Sequence, residues 1–118
     1  MFRLSYYDEV NEVLADIIKK YNEEIVKPIL SEHPEIQIYL FGSCARGEAV
    51  GHSDIDVAYV IPNDMKPYHI ETARDFSERV IPVNVSFITF EDYDNCTSKL
   101  IEFIRLEGVS WDKLVTDV

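Results

Sequence analysis

Two short segments of the sequence carry the signals that decide the fold: residues 40–47 read LFGSCARG, and residues 52–57 read HSDIDV. The first segment closes an apolar run from Ile36 to Phe41 at Gly42-Ser43, so it predicts a buried strand that ends in a turn. Glycine allows the backbone to approach a ligand closely, and the serine hydroxyl and the free amides of such a turn donate hydrogen bonds. The pair therefore favours an anion-binding turn, although the same residue types are common in ordinary turns.

The second segment places two acidic residues two positions apart. Asp54 and Asp56 lie at the start of a predicted strand from Ile55 to Ile61, so their side chains leave the same face with Cβ atoms about 7 Å apart. Paired carboxylates hold cations, and oxygen-only ligands select Mg²⁺ or Mn²⁺. An Asp-x-Asp sequence also occurs in solvated turns and helix caps. Gly-Ser, ten further residues and Asp-x-Asp occur together by chance in roughly one such chain in a thousand, so the combination favours a site.

The rest of the chain predicts an α/β-class domain with a small sheet. The predicted order is helix, strand, strand, helix, strand, helix. The predicted strands are Ile36–Phe41, Ile55–Ile61 and Val83–Phe90. The first predicted helix is Tyr7–Leu30 with a kink or restart at Pro28, the second lies between Pro67 and Pro82, and the third carries Cys96 and ends at Gly108 as a left-handed cap. Residues 91–94 predict a turn. Linkers and repeats are absent from the sequence, so residues 1–118 are expected to form one domain.

Composition excludes several classes of protein. The chain has 118 residues and 47% hydrophobic content, which is enough for a core without disulfide or metal support. The formal net charge of −11 repels phosphate backbones and anionic lipids, so non-specific nucleic-acid binding and membrane binding are not expected. The two cysteines form no CxxC pattern, and no apolar run has membrane-spanning length. These features predict a cytoplasmic protein.

The motif residues resemble the minimal nucleotidyltransferases of the DNA polymerase β superfamily. The resemblance is strong over residues 40–60, extends from Ile36 to Gly108, and rests on these positions: Gly42-Ser43, Ala45-Arg46-Gly47, Ser53 and Asp54-Ile55-Asp56. It implies a palm-like fold, in which a small mixed sheet is flanked by helices. It also implies that Gly42 and Ser43 bind the phosphates of ATP or another nucleoside triphosphate, while Asp54 and Asp56 hold two Mg²⁺ or Mn²⁺ ions.

The resemblance also implies a reaction and a partner. Such enzymes transfer a nucleoside monophosphate, here expected to be AMP from ATP, to a hydroxyl group and release pyrophosphate. Small members commonly pair with an all-helical HEPN protein and act as antitoxins, so a HEPN-like protein or a small hydroxyl compound is the expected acceptor. Arg46 is the cation nearest the turn in the sequence. Two roles remain open for its side chain: a contact with a triphosphate oxygen, or a salt bridge to Glu48. His52 lies in the loop before Asp54, where it could reach the nucleotide, and Cys44 is expected to be an inert packed thiol.

The sequence departs from the family pattern at the third carboxylate. The family carries an acid on a later strand, in a Val-Asp-Leu-Val-like run, and Asn84 takes that place here. The strand's alternation directs Asn84 away from Val83 and Val85. An amide can offer one oxygen to a metal, but it cannot accept a proton as a carboxylate does. The alternative function is therefore a weak or inactive nucleotidyltransferase fold that serves as a nucleotide-binding or regulatory subunit.

Other acids could replace the missing one only if the chain bends. The acids close to this strand in sequence are Glu78, Glu91, Asp92 and Asp94.

Overall fold

A four-stranded mixed sheet forms the centre of the computed structural model, which describes residues 9–42, 54–74, 76 and 83–115. The strands are β1 (Gln37–Phe41), β2 (Ile55–Ile61), β3 (Val83–Thr89) and β4 (Val109–Ser110). Their order is β3-β2-β1-β4. Strand β1 is antiparallel to both β2 and β4, and β2 is parallel to β3. The chain therefore forms the small mixed sheet that the resemblance implied.

The bounds of the three predicted strands agree closely with the structure. Strand β2 covers the predicted Ile55–Ile61, and β1 begins one residue after the predicted start. Strand β3 ends at Thr89 rather than Phe90 because the Thr89 hydroxyl accepts a hydrogen bond from the Asp92 amide at 3.1 Å and caps a helix. The two-residue strand β4 was not predicted.

The N-terminal helical segment consists of α1 (Glu9–Tyr21), a π-helical turn (Asn22–Val26) and α2 (Lys27–Glu32). The prediction of a restart at Pro28 is confirmed, because Pro28 lies at the N-terminal end of α2. Proline lacks an N–H group, and its ring collides with the carbonyl four residues earlier in a regular α-helix. The wider π-helical turn, closed by a bond from the Lys27 amide to the Asn22 carbonyl, directly precedes it.

A 3₁₀ segment (Pro67–Arg74) takes the place of the start of the second predicted helix. Its backbone departs from helical geometry at Ile70, with φ −130° and ψ 31°. The remainder of that prediction, including Glu78, lies mostly outside the described residues.

One face of the sheet, here called the closed face, packs against α1, the π-helical turn, α2, the 3₁₀ segment and α5 (Trp111–Val115). Its core is almost entirely apolar, and its fully buried members include Ile18, Leu40, Val57 and Tyr59. Side chains of β3 at Val83, Val85 and Phe87 join this core, which confirms the predicted alternation of that strand.

The opposite face, here called the site face, is covered in part by α3 (Phe90–Asn95) and α4 (Lys99–Glu107). The prediction of a turn at residues 91–94 is wrong, because these residues belong to α3. Cys96 was expected inside a helix but ends α3 in the left-handed conformation, with φ +50°. Ser98 then caps α4 by accepting a hydrogen bond from the Ile101 amide.

Gly108 ends α4, but not as the predicted left-handed cap, since its φ is −67°. A side chain at Gly108 would instead collide with the carbonyl oxygen of Ile104. Among the helices of the described ranges, none has the length and apolar character needed to cross a membrane.

Candidate active site

The candidate site lies where the end of β1 meets the beginnings of β2 and β3. The register places Asp56 between two neighbours, Phe41 of β1 and Asn84 of β3. Asp54 precedes the first residue of β2 and shares the side of Asp56, because successive side chains of an extended chain alternate. Asp54 and Asn84 are exposed, and Asp56 is half-buried. The strand order therefore brings together the three side chains that the sequence singled out.

Asn84 connects the two carboxylates. Its Nδ2 donates a hydrogen bond of 2.8 Å to Oδ2 of Asp54 and a longer one of 3.5 Å to Oδ1 of Asp56. Ionised carboxylates only accept hydrogen bonds, so the amide atom that faces them must be the nitrogen. The prediction that Asn84 leaves the opposite face of β3 from Val83 and Val85 is confirmed by these contacts.

Gly42 lies against the other side of Asp56. Its φ of +79° belongs to the left-handed region, which side chains disfavour. A Cβ atom at this position would also lie 2.5 Å from Oδ2 of Asp56. Glycine is therefore required here for two reasons. The sequence suggested that Gly42 lets the backbone approach a ligand closely, and in the structure the Gly42 backbone lies close to the Asp56 carboxylate.

A small apolar cluster supports the site from the side of β1. Phe41, the register neighbour of Asp56, packs with Ala58 and with Ile101 and Ile104 of α4. The sequence pattern predicted a helix that carries Ile104, but it predicted neither the contact of that helix with Phe41 nor the separate helix α3, because residues 91–94 were expected to form a turn. The capping pattern Thr-x-x-Asp at residues 89–92 is the signal that could have indicated α3.

Several candidate residues lie outside the described residues: Ser43, Cys44, Arg46, His52 and Glu78. Glu91, Asp92 and Asp94 are described, but they belong to α3, which follows the far end of β3. Asn84 is five residues before the end of that strand, a separation of about 16 Å. Within the described ranges, no group of three or more His, Cys, Asp or Glu side chains is placed to hold a metal ion.

A known protein family matches most of this chain. Residues 23–109 match the sequence profile of the family described as Polymerase beta, Nucleotidyltransferase. The chain belongs to this family. The matched segment runs from the π-helical turn to β4 and includes Asp54, Asp56 and Asn84. The resemblance inferred from the motif is confirmed, and the chain is a nucleotidyltransferase domain.

A solved structure confirms the fold of this nucleotidyltransferase domain. A provisionally assigned nucleotidyltransferase from Sulfolobus solfataricus, in a crystal structure at 1.40 Å resolution, superposes with a TM-score of 0.57. The alignment covers 92% of this chain and 90% of that one, at 23% sequence identity. No curated protein sequence is significantly similar to the chain. The two chains therefore share the fold over nearly their whole lengths.

Proposed function

We propose that this domain transfers a nucleoside monophosphate, AMP from ATP, to a hydroxyl acceptor, and that it does so with Mg²⁺ or Mn²⁺ held by Asp54 and Asp56. The observation that carries the proposal is the juxtaposition of these carboxylates at one strand end, bridged by Asn84 and packed against Gly42. Family membership supplies the reaction class.

The donor set at this strand end fits a divalent cation. Carboxylate and amide oxygens are hard ligands, which suit Mg²⁺ and Mn²⁺. Asp56 is held from two sides, by Gly42 and by Asn84, so its carboxylate is oriented before any ligand arrives. A bound cation would supply the positive charge that offsets the phosphate oxygens during transfer. Asp54 and Asp56 are thus the proposed metal ligands.

The phosphates themselves are assigned to the two residues that follow β1 in the sequence. We assign their binding to Gly42 and Ser43, with Arg46 as the nearby cation; for Ser43 and Arg46 the assignment rests on the motif. Without a cation, the phosphate chain would meet two carboxylates of its own sign. ATP is therefore expected to bind only together with Mg²⁺ or Mn²⁺.

The acceptor is proposed to come from outside this domain. A protein of the HEPN type is the first candidate, as in small antitoxins that this chain resembles, and a small hydroxyl compound is the second. The net charge of −11 favours a partner with a basic surface. We also propose that residues 1–118 form a single domain.

A second candidate function is a nucleotide-binding or regulatory subunit with weak or no transfer activity. The observation that favours it is the place of Asn84, whose amide faces both carboxylates where the family carries a third acid. An amide cannot accept the proton that leaves an attacking hydroxyl.

Calorimetry with and without Mg²⁺ tests the assigned site. We expect ATP to bind the wild-type protein in Mg²⁺, not to bind in chelator, and to lose its binding when Asp54→Ala and Asp56→Ala are combined. Asp64→Ala is the control, because it removes one acid from an exposed turn at the other end of β2. Tight binding in chelator, or binding unchanged by the double substitution, would remove Asp54 and Asp56 from the site.

A transfer assay separates the two candidate functions. Labelled ATP with Mg²⁺ is incubated with the protein and with lysate as the source of acceptor. Label that reaches an acceptor, and is lost in the double variant, supports the transferase. Metal-dependent ATP binding without transfer favours the regulatory subunit.

A further inference from the structure

Asn84 stands between the two proposed metal ligands. One amide nitrogen carries two hydrogens, and the structure directs Nδ2 at Oδ2 of Asp54 (2.8 Å) and Oδ1 of Asp56 (3.5 Å). An N–H group cannot ligate a cation. The bridge between these two carboxylates is therefore a hydrogen-bond donor and not a metal ligand.

Charge limits the number of cations that this strand end can hold. Asp54 and Asp56 together carry two negative charges, which one divalent cation offsets completely. In the absence of nucleotide, a second divalent cation would need further negative charge from the protein, but the register neighbour of Asp56 is a neutral amide. Among the described side chains, no third acid joins the pair.

The orientation of the amide opposes a second cation as well. To offer its oxygen, the Asn84 amide would have to turn over and break its contacts with both carboxylates. Hydrogen bonds to charged groups are the stronger class, so this rotation gives up the short bond of 2.8 Å to Asp54. If the amide keeps its orientation, it can still hold the carboxylates in place around one cation, as outer-shell donors do in other metal sites.

We infer that Asn84 restricts the site of the nucleotide-free protein to one divalent cation, where the resemblance to the family implied two. This inference rests on the proposed role of Asp54 and Asp56 as metal ligands. It assigns to Asn84 a positioning role: the amide holds the two carboxylates in register and leaves a single cation site beside them.

Counting bound Mn²⁺ tests the inference without nucleotide or acceptor. Electron paramagnetic resonance measures free Mn²⁺ during a titration, at an ionic strength of about 0.15 M to screen diffuse binding to the acidic surface. The variant that combines Asp54→Ala and Asp56→Ala supplies the background. We expect one site-specific Mn²⁺ per wild-type chain and two per Asn84→Asp chain, the second at least about tenfold tighter than any second ion in wild type.

A matched variant controls for the added charge. Asn95→Asp makes the same chemical change at an exposed position in α3 and is expected to keep one Mn²⁺. Two ions of similar affinity in wild type, or one ion in a folded Asn84→Asp variant, would overturn the inference and leave the proposed function standing. A wild-type protein that binds no Mn²⁺ above background overturns both.

The side-chain amide of Asn84 provides a second measurement on the wild-type protein. Its pair of ¹⁵N–¹H₂ signals is identified by its absence in Asn84→Ser and followed during a titration with Mg²⁺. We expect one saturating transition that ends with both amide hydrogens still protected from exchange. Loss of that protection, or a second saturating transition, would mean that the amide has turned to a second cation and would contradict the inference.

Discussion

The two faces of the sheet are formed by alternate residues of the same strands, yet they differ in what covers them. In β2, Ile55, Val57 and Tyr59 enter the closed face, while Asp56 and Ala58 point to the site face. All residues of β2 are buried except Asp56, which is half-buried. A single strand thus supplies both the main core and the candidate site.

Polar side chains have different partners and different exposure to solvent on the two faces. On the closed face they are few and bond to each other: the hydroxyls of Tyr21 and Tyr59 lie 2.7 Å apart, and Trp111 Nε1 donates to Asn22 Oδ1 at 2.9 Å. Among described residues, no buried side-chain polar atom lacks a partner. On the site face, Asp54, Asp56 and Asn84 meet where solvent can reach them. Side-chain alternation along the strands thus separates the residues that stabilise the fold from the polar residues of the candidate site.

The largest expected effect is the loss of a large side chain from the closed face. Leu40 is fully buried, so Leu40→Ala leaves a cavity and should lower the free energy of unfolding by about 3 kcal/mol. Leu106, on α4, is 78% exposed, and Leu106→Ala should cost less than about 0.5 kcal/mol. Urea denaturation of both variants measures the difference. Equal costs would contradict the description of the closed face as the main core.

A smaller effect is expected where the strand end meets the site. Gly42→Ala should destabilise the protein by about 2 kcal/mol, because the left-handed backbone and the contact with Asp56 both oppose a side chain. In an Asp56→Ala background the contact is gone, and the same change should cost only about 1 kcal/mol. A double-mutant cycle by urea denaturation measures the coupling. Identical costs in the two backgrounds would mean that Asp56 does not press on Gly42.

The smallest expected effect is a loss of stability at high pH, which arises from the buried tyrosines of the closed face. Burial is the main cause that raises the pKa of Tyr21 and Tyr59 far above the usual value. Each stays protonated in the folded state while its unfolded counterpart ionises near pH 10. Stability is therefore complete below pH 10 and falls as the pH rises above it, by roughly 1 kcal/mol per tyrosine at pH 10.5.

Removing one of the two hydroxyls tests this assignment. The Tyr21 hydroxyl donates its hydrogen to the Ala73 carbonyl at 3.1 Å. The Tyr59 hydroxyl is therefore the donor in the hydrogen bond between the two tyrosines. Burial also raises the pKa of Tyr39 to about 12, so Tyr39 contributes to the decline as well, and Tyr59→Phe should lose only about a third of the wild-type decline between pH 8.5 and 10.5, measured by urea denaturation at each pH. An unchanged decline in the variant would assign the alkaline transition to other groups.

Local patterns predicted the parts of the fold that depend on neighbouring residues. The bounds of β2 follow from an apolar run between Asp54 and Pro62, and alternation placed Asn84 opposite Val83 and Val85. The pairing of Asp56 with Asn84 was expected only through the family resemblance, because the register of parallel strands depends on a crossover that a local pattern does not describe.

The parts that were missed depend on distant contacts or unusual backbone. Strand β4 has two residues and exists through its pairing with Tyr39 and Leu40 of β1. The break between α3 and α4 occurs at Cys96, a residue type that gives no signal for a left-handed conformation. Gly108 gave that signal, but the residue serves instead to avoid the Ile104 carbonyl. Strand β4 thus depends on a distant pairing, whereas the conformations at Cys96 and Gly108 are local and are not specified by the residue type alone.

The bond between Trp111 and Asn22 has a consequence for how the chain folds during synthesis. It joins residues 89 positions apart, and Trp111 is buried against the π-helical turn and α1. The helices between Glu9 and Glu32 are made first, but the core of the closed face lacks the Trp111 indole and the Leu114 side chain until residues 111–115 have been synthesised. Nascent chains that stop before Trp111 would expose this apolar surface, so the core of the closed face closes only after β4 has been made.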